Sequence, residues 1–377
     1  MMKKVIYADH AATTPLSPAA YEAMLPWLLD NYGNPSTLYS LAREPRKAIE
    51  RARETIADVI GAFPDEIYFT SGGTEADNWA LNGIAFSQPT KKSRIVTSNV
   101  EHHAILHTCS FLERMGIDVC YLPVDEVGLV SLDVLRKALS IPTTLVSIML
   151  ANNEIGTLQP VQKLASLAHE HGSLFHTDAV QAVGHIPVNV QELGVDLLSS
   201  SAHKFNGPKG SGFLFIKRGT IIEPLLHGGS QENGYRAGTE NVAGIVGMAA
   251  ALMEHRQKML EEMNYLTLLA DTLISELRAA GLDFKVNGAA KRIPGSLSIS
   301  FKHGDGEMLL HRLDLLGTQI ATGSACDSND AVVSHVIEAI GASDEYTHGT
   351  VRITLGMDNT TEQVQMIARQ INSILGN

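Results

Sequence analysis

The sequence predicts an α/β protein with a mainly parallel sheet and a second, smaller α+β unit towards the carboxyl end. Three observations predict it. Short apolar runs recur, each followed by polar residues and then a helical pattern. One of them, Thr144–Leu150, is apolar almost throughout, as a strand buried on both faces requires. Beyond a long helical stretch ending near Leu282, the strands and helices become shorter.

In order, Val5–Tyr7 reads as a short strand running into a polar turn. Pro18–Asp30 reads as a helix that Pro26 should end or kink. Arg43–Ile60 is a helix with Ala48, Ile49, Ala52, Ile56, Val59 and Ile60 as its buried stripe, stopped by Gly61. Glu66–Thr70 is a strand, followed by a Ser71-Gly72-Gly73-Thr74 turn and a helix to Ile84. Strands follow at Arg94–Ser98, Asp118–Leu122 and Thr144–Leu150, and Leu174–Gln181 is a strand running into a polar turn; helices to Met115, at Leu132–Leu139 and at Val161–His171 alternate with them. A buried strand ends ahead of Ser199-Ser200-Ser201, and Gly210–Ile216 is another apolar strand pattern. Met253–Leu277 reads as one extended helix linking two units. The smaller unit has strands at Pro294–Phe301, Gln319–Thr322 and Val351–Leu355. Its helices are Glu307–Leu315, Val332–Ile340 and Thr360–Leu375. Gly323–Asp330 reads as a polar, mobile loop. The expected division is a large domain over 15–256 and a small one made of 1–14 with 257–377.

Composition narrows the function. The chain has 377 residues, 44% of them hydrophobic, enough for a sizeable core. A net charge of −12 repels phosphate backbones, so direct nucleic-acid binding is not expected. Three cysteines with no Cys-x-x-Cys pair make no disulfide framework and fit a reducing cytoplasm. No signal-peptide pattern and no membrane-length apolar run is present.

The chemistry gathers at strand ends. Lys204 sits between two core strands, and a desolvated amine loses its proton readily. Such an amine can join an aldehyde as a Schiff base. The Gly72-Gly73-Thr74 turn opens a helix and so offers free N–H groups to an anion. Thr74, His102, Asn153, Asp178, Gln181 and Lys204 all fall at carboxyl ends of strands, where ligands of open α/β sheets gather. Pyridoxal 5'-phosphate (PLP) needs such a set. Lys204 suits its aldehyde, Asp178 its ring nitrogen and His102 its ring face. Gly73, Thr74, Ser201 and His203 suit its phosphate.

These residues carry a resemblance. In order occur Asp9 with Ala12-Thr13-Thr14, Gly33-Asn34-Pro35-Ser36, Thr70 to Asn78, Glu101-His102 and Asn152 to Gly156. Asp178 with Gln181, Ser201 to Lys204, Arg236 to Thr239, Gly323 to Cys326 and Arg352 with Leu355-Gly356 follow. The chain resembles the cysteine desulfurases, in the class V aminotransferase branch of fold-type I PLP enzymes. The resemblance implies a seven-stranded, mainly parallel sheet flanked by helices in the large domain. It also implies a homodimer that converts L-cysteine to alanine and passes sulfur to an acceptor protein for iron–sulfur cluster assembly or thiolation. Lys204 would hold the aldehyde and shuttle protons, and His102 would stack on the ring and act as acid and base. Asp178 would pair with the ring nitrogen, Gln181 with the ring hydroxyl, and Asn153 would sit beside the ring. Gly73, Thr74, Ser201 and His203 would bind phosphate, joined by Thr239 of the partner subunit. Arg352 with Asn34 would hold the substrate carboxylate, and Cys326 would take the sulfur as a persulfide.

Two residues depart from that pattern: Asp327 where Thr or Ser is expected, and Met357 where many relatives carry Arg. A carboxylate beside Cys326 should raise its thiol pKa. Other PLP-dependent chemistry, such as selenocysteine lysis or β-elimination, uses the same groups. A metal-dependent hydrolase is the remaining class, on His103 with His107 and on His169, His171 and His176 near Asp178. No His-Glu-x-x-His spacing supports it, and no metal ligand set is assigned.

Overall fold

The computed structural model describes residues 5–87, 93–323 and 333–376. Seven strands form one sheet: β2 (Ile67–Thr70), β3 (Arg94–Ser98), β4 (Asp118–Leu122), β5 (Leu145–Ser147), β6 (Leu174–Asp178), β7 (Leu197–Ser201) and β8 (Gly212–Ile216). Their order is β2-β8-β7-β6-β5-β3-β4, with β8 alone running against its neighbours. The sheet is thus α/β and mainly parallel, as expected.

Successive side chains of a strand point to opposite faces. Val96, Val146, Leu198, Phe213 and Phe215 therefore enter one core, and Ile95, Leu145, Leu197, Leu214 and Ile216 enter another. Helices cover both. Arg43–Ile60 and Val161–Glu170 pack on the first face, and Gly73–Phe86 with His103–Arg114 on the second. Gly61 stops its helix in the left-handed conformation, at φ 70°.

A third core brings the chain's start to its end. Ile6 and Ala8 join Leu297, Ile299, Val351, Ile353 and the helix Thr361–Leu375. The strand β1 (Ile6–Tyr7) pairs in parallel with β11 (Thr318–Gln319). Beside them β12 (Thr350–Thr354), β10 (Ser296–Phe301) and β9 (Phe284–Val286) form an antiparallel sheet in that order. One helix, Val242–Ala279, serves two cores. Its 38 residues span about 57 Å at 1.5 Å each. Ile245, Met248 and Leu252 enter the first core, and Leu266, Leu269, Leu273 and Leu277 the third.

Some expectations shift. Pro26 does not end its helix, which runs to Leu28. The apolar run Thr144–Leu150 forms a strand only over Leu145–Ser147, although Ile148 and Leu150 still donate N–H bonds to His176 and Asp178. The helix expected over Val332–Ile340 spans His335–Ala339. The loop expected over Gly323–Asp330 lies outside the described residues from Ser324 onwards. Among the described residues, no helix is long and apolar enough to cross a membrane.

Leu269 is fully buried in the third core. Leu269→Ala should lower the unfolding free energy by about 2–5 kcal/mol, because the cavity left behind cannot fully collapse. Urea unfolding checks this.

Candidate active site

The carboxyl ends of β3, β5, β6 and β7 open on a cavity of ≈ 530 Å³. Its lining includes Gly73, Thr74, His102, Asn153, Asp178, Gln181, Ser201, His203, Lys204 and Arg352. Ten residues expected from scattered motifs therefore meet in one place.

Lys204 closes a short 3-10 turn, Ala202–Lys204, that leaves the end of β7. Its Nζ donates to the carbonyls of Ala11 at 2.6 Å and Ala12 at 2.9 Å. Gln181 Nε2 donates to the same Ala11 carbonyl at 3.0 Å. The segment that follows β1 thus lies against the lysine. Thr14 fastens it there, its N–H and hydroxyl both donating to the His203 carbonyl.

Opposite, the helix Gly73–Phe86 begins with no side-chain cap. Its first N–H groups are therefore free for an anion. Gly72, at φ 151°, makes the turn, and a Cβ on Gly73 would strike Val180 at 2.6 Å. Glu75 in the first turn would oppose an anion, but Arg236 grips both its oxygens at 2.8 and 3.1 Å. Ser201 and His203 face the same corner.

His102 caps the helix His103–Arg114, its Nδ1 accepting the Ala104 N–H at 3.1 Å. Burial first, and the nearby Lys204 second, hold its pKa down at about 4. The imidazole is therefore neutral, with its hydrogen on Nε2. Burial and the lysines 204 and 209 likewise hold His203 at about 4. Asp178 ends β6, and its Oδ1 accepts the Val180 N–H at 2.9 Å. Burial pushes its carboxyl up to about 6, against the pull of that hydrogen bond and of Lys204.

Arg352, on β12, crosses from the smaller sheet. It donates to Asp9 Oδ1 at 2.8 Å and to the Asn153 carbonyl at 3.1 Å. Its buried Nε has no hydrogen-bond partner among the described residues. A buried guanidinium donor left unsatisfied beside a cavity suits a carboxylate ligand.

Three expected residues do not line the cavity. Asn34 lies in an exposed stretch, where its Oδ1 accepts the Ser36 N–H at 2.9 Å. Thr239 is exposed on a loop near it, Ser36 Oγ lying 3.4 Å from Glu240. Cys326 lies outside the described residues. Conversely, Asp77, Met149, Lys209 and the Ala11–Thr13 backbone line the cavity without having been assigned roles. Asp77 had a signal: it stands one turn beyond Thr74 and so shares its helix face.

The donor set fits PLP. An uncapped helix start with Ser201 and His203 suits the phosphate, a buried carboxyl suits a protonated ring nitrogen, and an amine suits the aldehyde. Among the described residues, no group of His, Cys, Asp or Glu is arranged to hold a metal ion.

Residues 6–367 match the model of the class-V aminotransferase family. The cysteine desulfurase IscS of Dictyoglomus turgidum is 54% identical, over 96% of this chain and 92% of its own. That of Methanosarcina thermophila is 47% identical, over 99% and 92%. A solved NifS-like protein is 38% identical with a TM-score of 0.92, covering 98% of this chain and 99% of its own. The structure of SspA in complex with cysteine is 35% identical with a TM-score of 0.83, covering 93% and 99%.

Neutral buried imidazoles have a consequence for stability. The unfolded chain takes protons on its histidines near pH 6.5, whereas the folded cavity takes them only near 4. The contribution of His102 and His203 is therefore complete above about pH 6.5 and lost as pH falls towards 4. His102→Gln should flatten part of that fall, by roughly 3 kcal/mol. Urea unfolding of both proteins across this range checks it.

Proposed function

The chain belongs to the class-V aminotransferase family, in its cysteine desulfurase branch, and from that premise we propose that it converts L-cysteine to L-alanine with PLP and holds the released sulfur on Cys326. One observation carries the reading: Lys204, Asp178, His102, Arg352 and an uncapped helix start share a single cavity.

When bound, PLP supplies an aldehyde that joins amines and a protonated ring that draws electrons from the substrate carbon. Gly73, Thr74, Ser201 and His203 hold its phosphate, and Lys204 its aldehyde. Asp178, ionised against the ring nitrogen, keeps the proton there. Gln181 meets the ring hydroxyl, and Asn153 sits beside the ring.

Arg352 takes the substrate carboxylate through two parallel N–H bonds, with Asp9 and the Asn153 carbonyl fixing its guanidinium plane. Lys204 carries protons at its Nζ, and His102 at its Nε2. Cys326 then attacks the substrate sulfur as a thiolate. An S–S bond forms as the C–S bond breaks, the electron pair goes to carbon, carbon takes a proton from Lys204 or His102, and alanine leaves. The Cys326 persulfide passes its outer sulfur to an acceptor protein serving iron–sulfur assembly or thiolation.

We also propose a homodimer. Leu25, Leu28, Leu29, Tyr32, Leu38 and Tyr39 form an exposed apolar stretch that a second copy would cover. Asn34 lies within that stretch and Thr239 beside it, so both would reach the partner's cavity. The division at 15–256 against 1–14 with 257–377 accords with a third core built from Ile6, Ala8 and residues from Leu266 on. The cysteine usage accords with a cytoplasmic setting.

Anaerobic incubation with L-cysteine tests the reaction, with alanine and sulfide as readouts. Lys204→Ala should lose the visible absorption band of the lysine-held cofactor and all turnover. Cys326→Ser should keep that band and make almost no persulfide. Alanine formed without persulfide on wild-type Cys326 would overturn the sulfur route.

Arg352→Lys should raise the KM for cysteine on the order of tenfold, since about 1.4 kcal/mol of bidentate grip is lost. PLP content should change little. Steady-state kinetics with cofactor quantification check this.

A further inference from the structure

Beneath the cavity lies a carboxyl that the reaction above does not use. Asp77 stands on the second turn of the helix Gly73–Phe86, is 1% exposed and lines the cavity with Asp178. Its Oδ1 has no hydrogen-bond partner among the described residues. Among the described residues no lysine or arginine pairs with it. The nearest basic group, His176 Nε2, is 3.7 Å away, beyond hydrogen-bond length.

His176 is itself spoken for. Its Nδ1 meets Ser147 Oγ at 2.8 Å and its Nε2 meets Ser199 Oγ at 3.0 Å. With burial holding its pKa at about 3, it stays neutral. The Ser199 hydroxyl opposes the upward push on the Asp77 carboxyl. That push comes first from burial and then from the Asp178 and Glu101 carboxyls. Glu101 is buried too, bonded to Ser98 Oγ and the Met149 N–H, and burial raises its pKa to about 8. Facing Asp178 on the other side are Lys204 and the neutral His102.

We propose that Asp77 is a positioning residue that keeps its own proton in the working protein, so that Asp178 stays the single anion under the ring nitrogen of the cofactor. Two buried carboxyls that line one cavity cannot both ionise at low cost. The one that faces the ring's positive charge ionises, and the one with only a serine hydroxyl and a neutral histidine behind it does not. A neutral Asp77 leaves the whole of the Asp178 charge to the ring nitrogen. The inference rests on Asp178 being the partner of that nitrogen.

Two measurements test it. In holoenzyme labelled with carbon-13 aspartate, infrared spectroscopy should show the carbonyl stretch of a neutral aspartic acid at pH 8, and Asp77→Asn should remove it. Its absence from the wild type, or its survival in Asp77→Asn, overturns the proposal. The second measurement is PLP affinity by equilibrium dialysis as pH falls. Affinity should drop as Asp178 takes a proton, near pH 6. In Asp77→Asn the midpoint should stay within about 0.3 pH unit, because one neutral group replaces another. A midpoint moved further down would mean that a negative charge had been removed, and that Asp77 was ionised. If Asp178→Asn retains full PLP affinity, the reading of Asp178 fails, while the infrared band still decides the state of Asp77.

Discussion

The site depends on two hydrogen bonds from Lys204 Nζ to the backbone carbonyls of Ala11 and Ala12. They join the end of β7 to a segment whose own strand, β1, belongs to the third core. That segment makes further ties on the way. Asp9 holds Arg352, His10 meets the Thr354 carbonyl and Asp358, and Thr14 holds the turn at His203. Six residues thus couple the lysine of one sheet to the arginine of another. The cavity exists because both sheets are held against this strap, and the long helix Val242–Ala279, buried in both cores, keeps them in register behind it.

Burial decides the charges inside. His102, His203 and His176 are all neutral, and in each case desolvation is the largest cause. Neutral imidazole, hydroxyl and backbone N–H groups share the corner at the start of the helix Gly73–Phe86, where the charges of Lys204 and Lys209 also act on His203. The one acidic residue that intrudes on it, Glu75, is cancelled by Arg236 rather than left to repel. Arg352, unlike Lys204 and Lys209 in the same lining, carries a guanidinium that can meet a carboxylate edge to edge.

Local pattern made much of this legible. Strands β3 and β4 have the ends that their apolar runs imply, β6 stops at Asp178 ahead of Gln181, β8 starts at Gly212 rather than Gly210, and Gly61 stops its helix where a left-handed residue is needed. Convergence at strand ends was legible because parallel order puts all those ends on one side. Long-range facts were not. Nothing local tells that Phe284–Val286 pairs with β10, since its register is set by a partner about fifteen residues on. Asp9 reads as a turn residue, and only the fold brings it to Arg352. Asn34 and Thr239 carry family motifs, yet one chain alone does not bring them to the cavity.

Capping fixes both the tautomer and the orientation of His102. A helix start needs an acceptor for its free N–H groups. Serine, threonine or aspartate would serve, but His102 serves through Nδ1, and that choice fixes the tautomer. The remaining hydrogen must sit on Nε2, the ring edge away from the helix. The same bond holds the ring's orientation, so a flat, neutral face is offered to the cavity at no further cost in side-chain entropy. One backbone N–H therefore sets both the proton's place and the plane of the ring, and the helix His103–Arg114 gains its cap from a residue that lines the cavity.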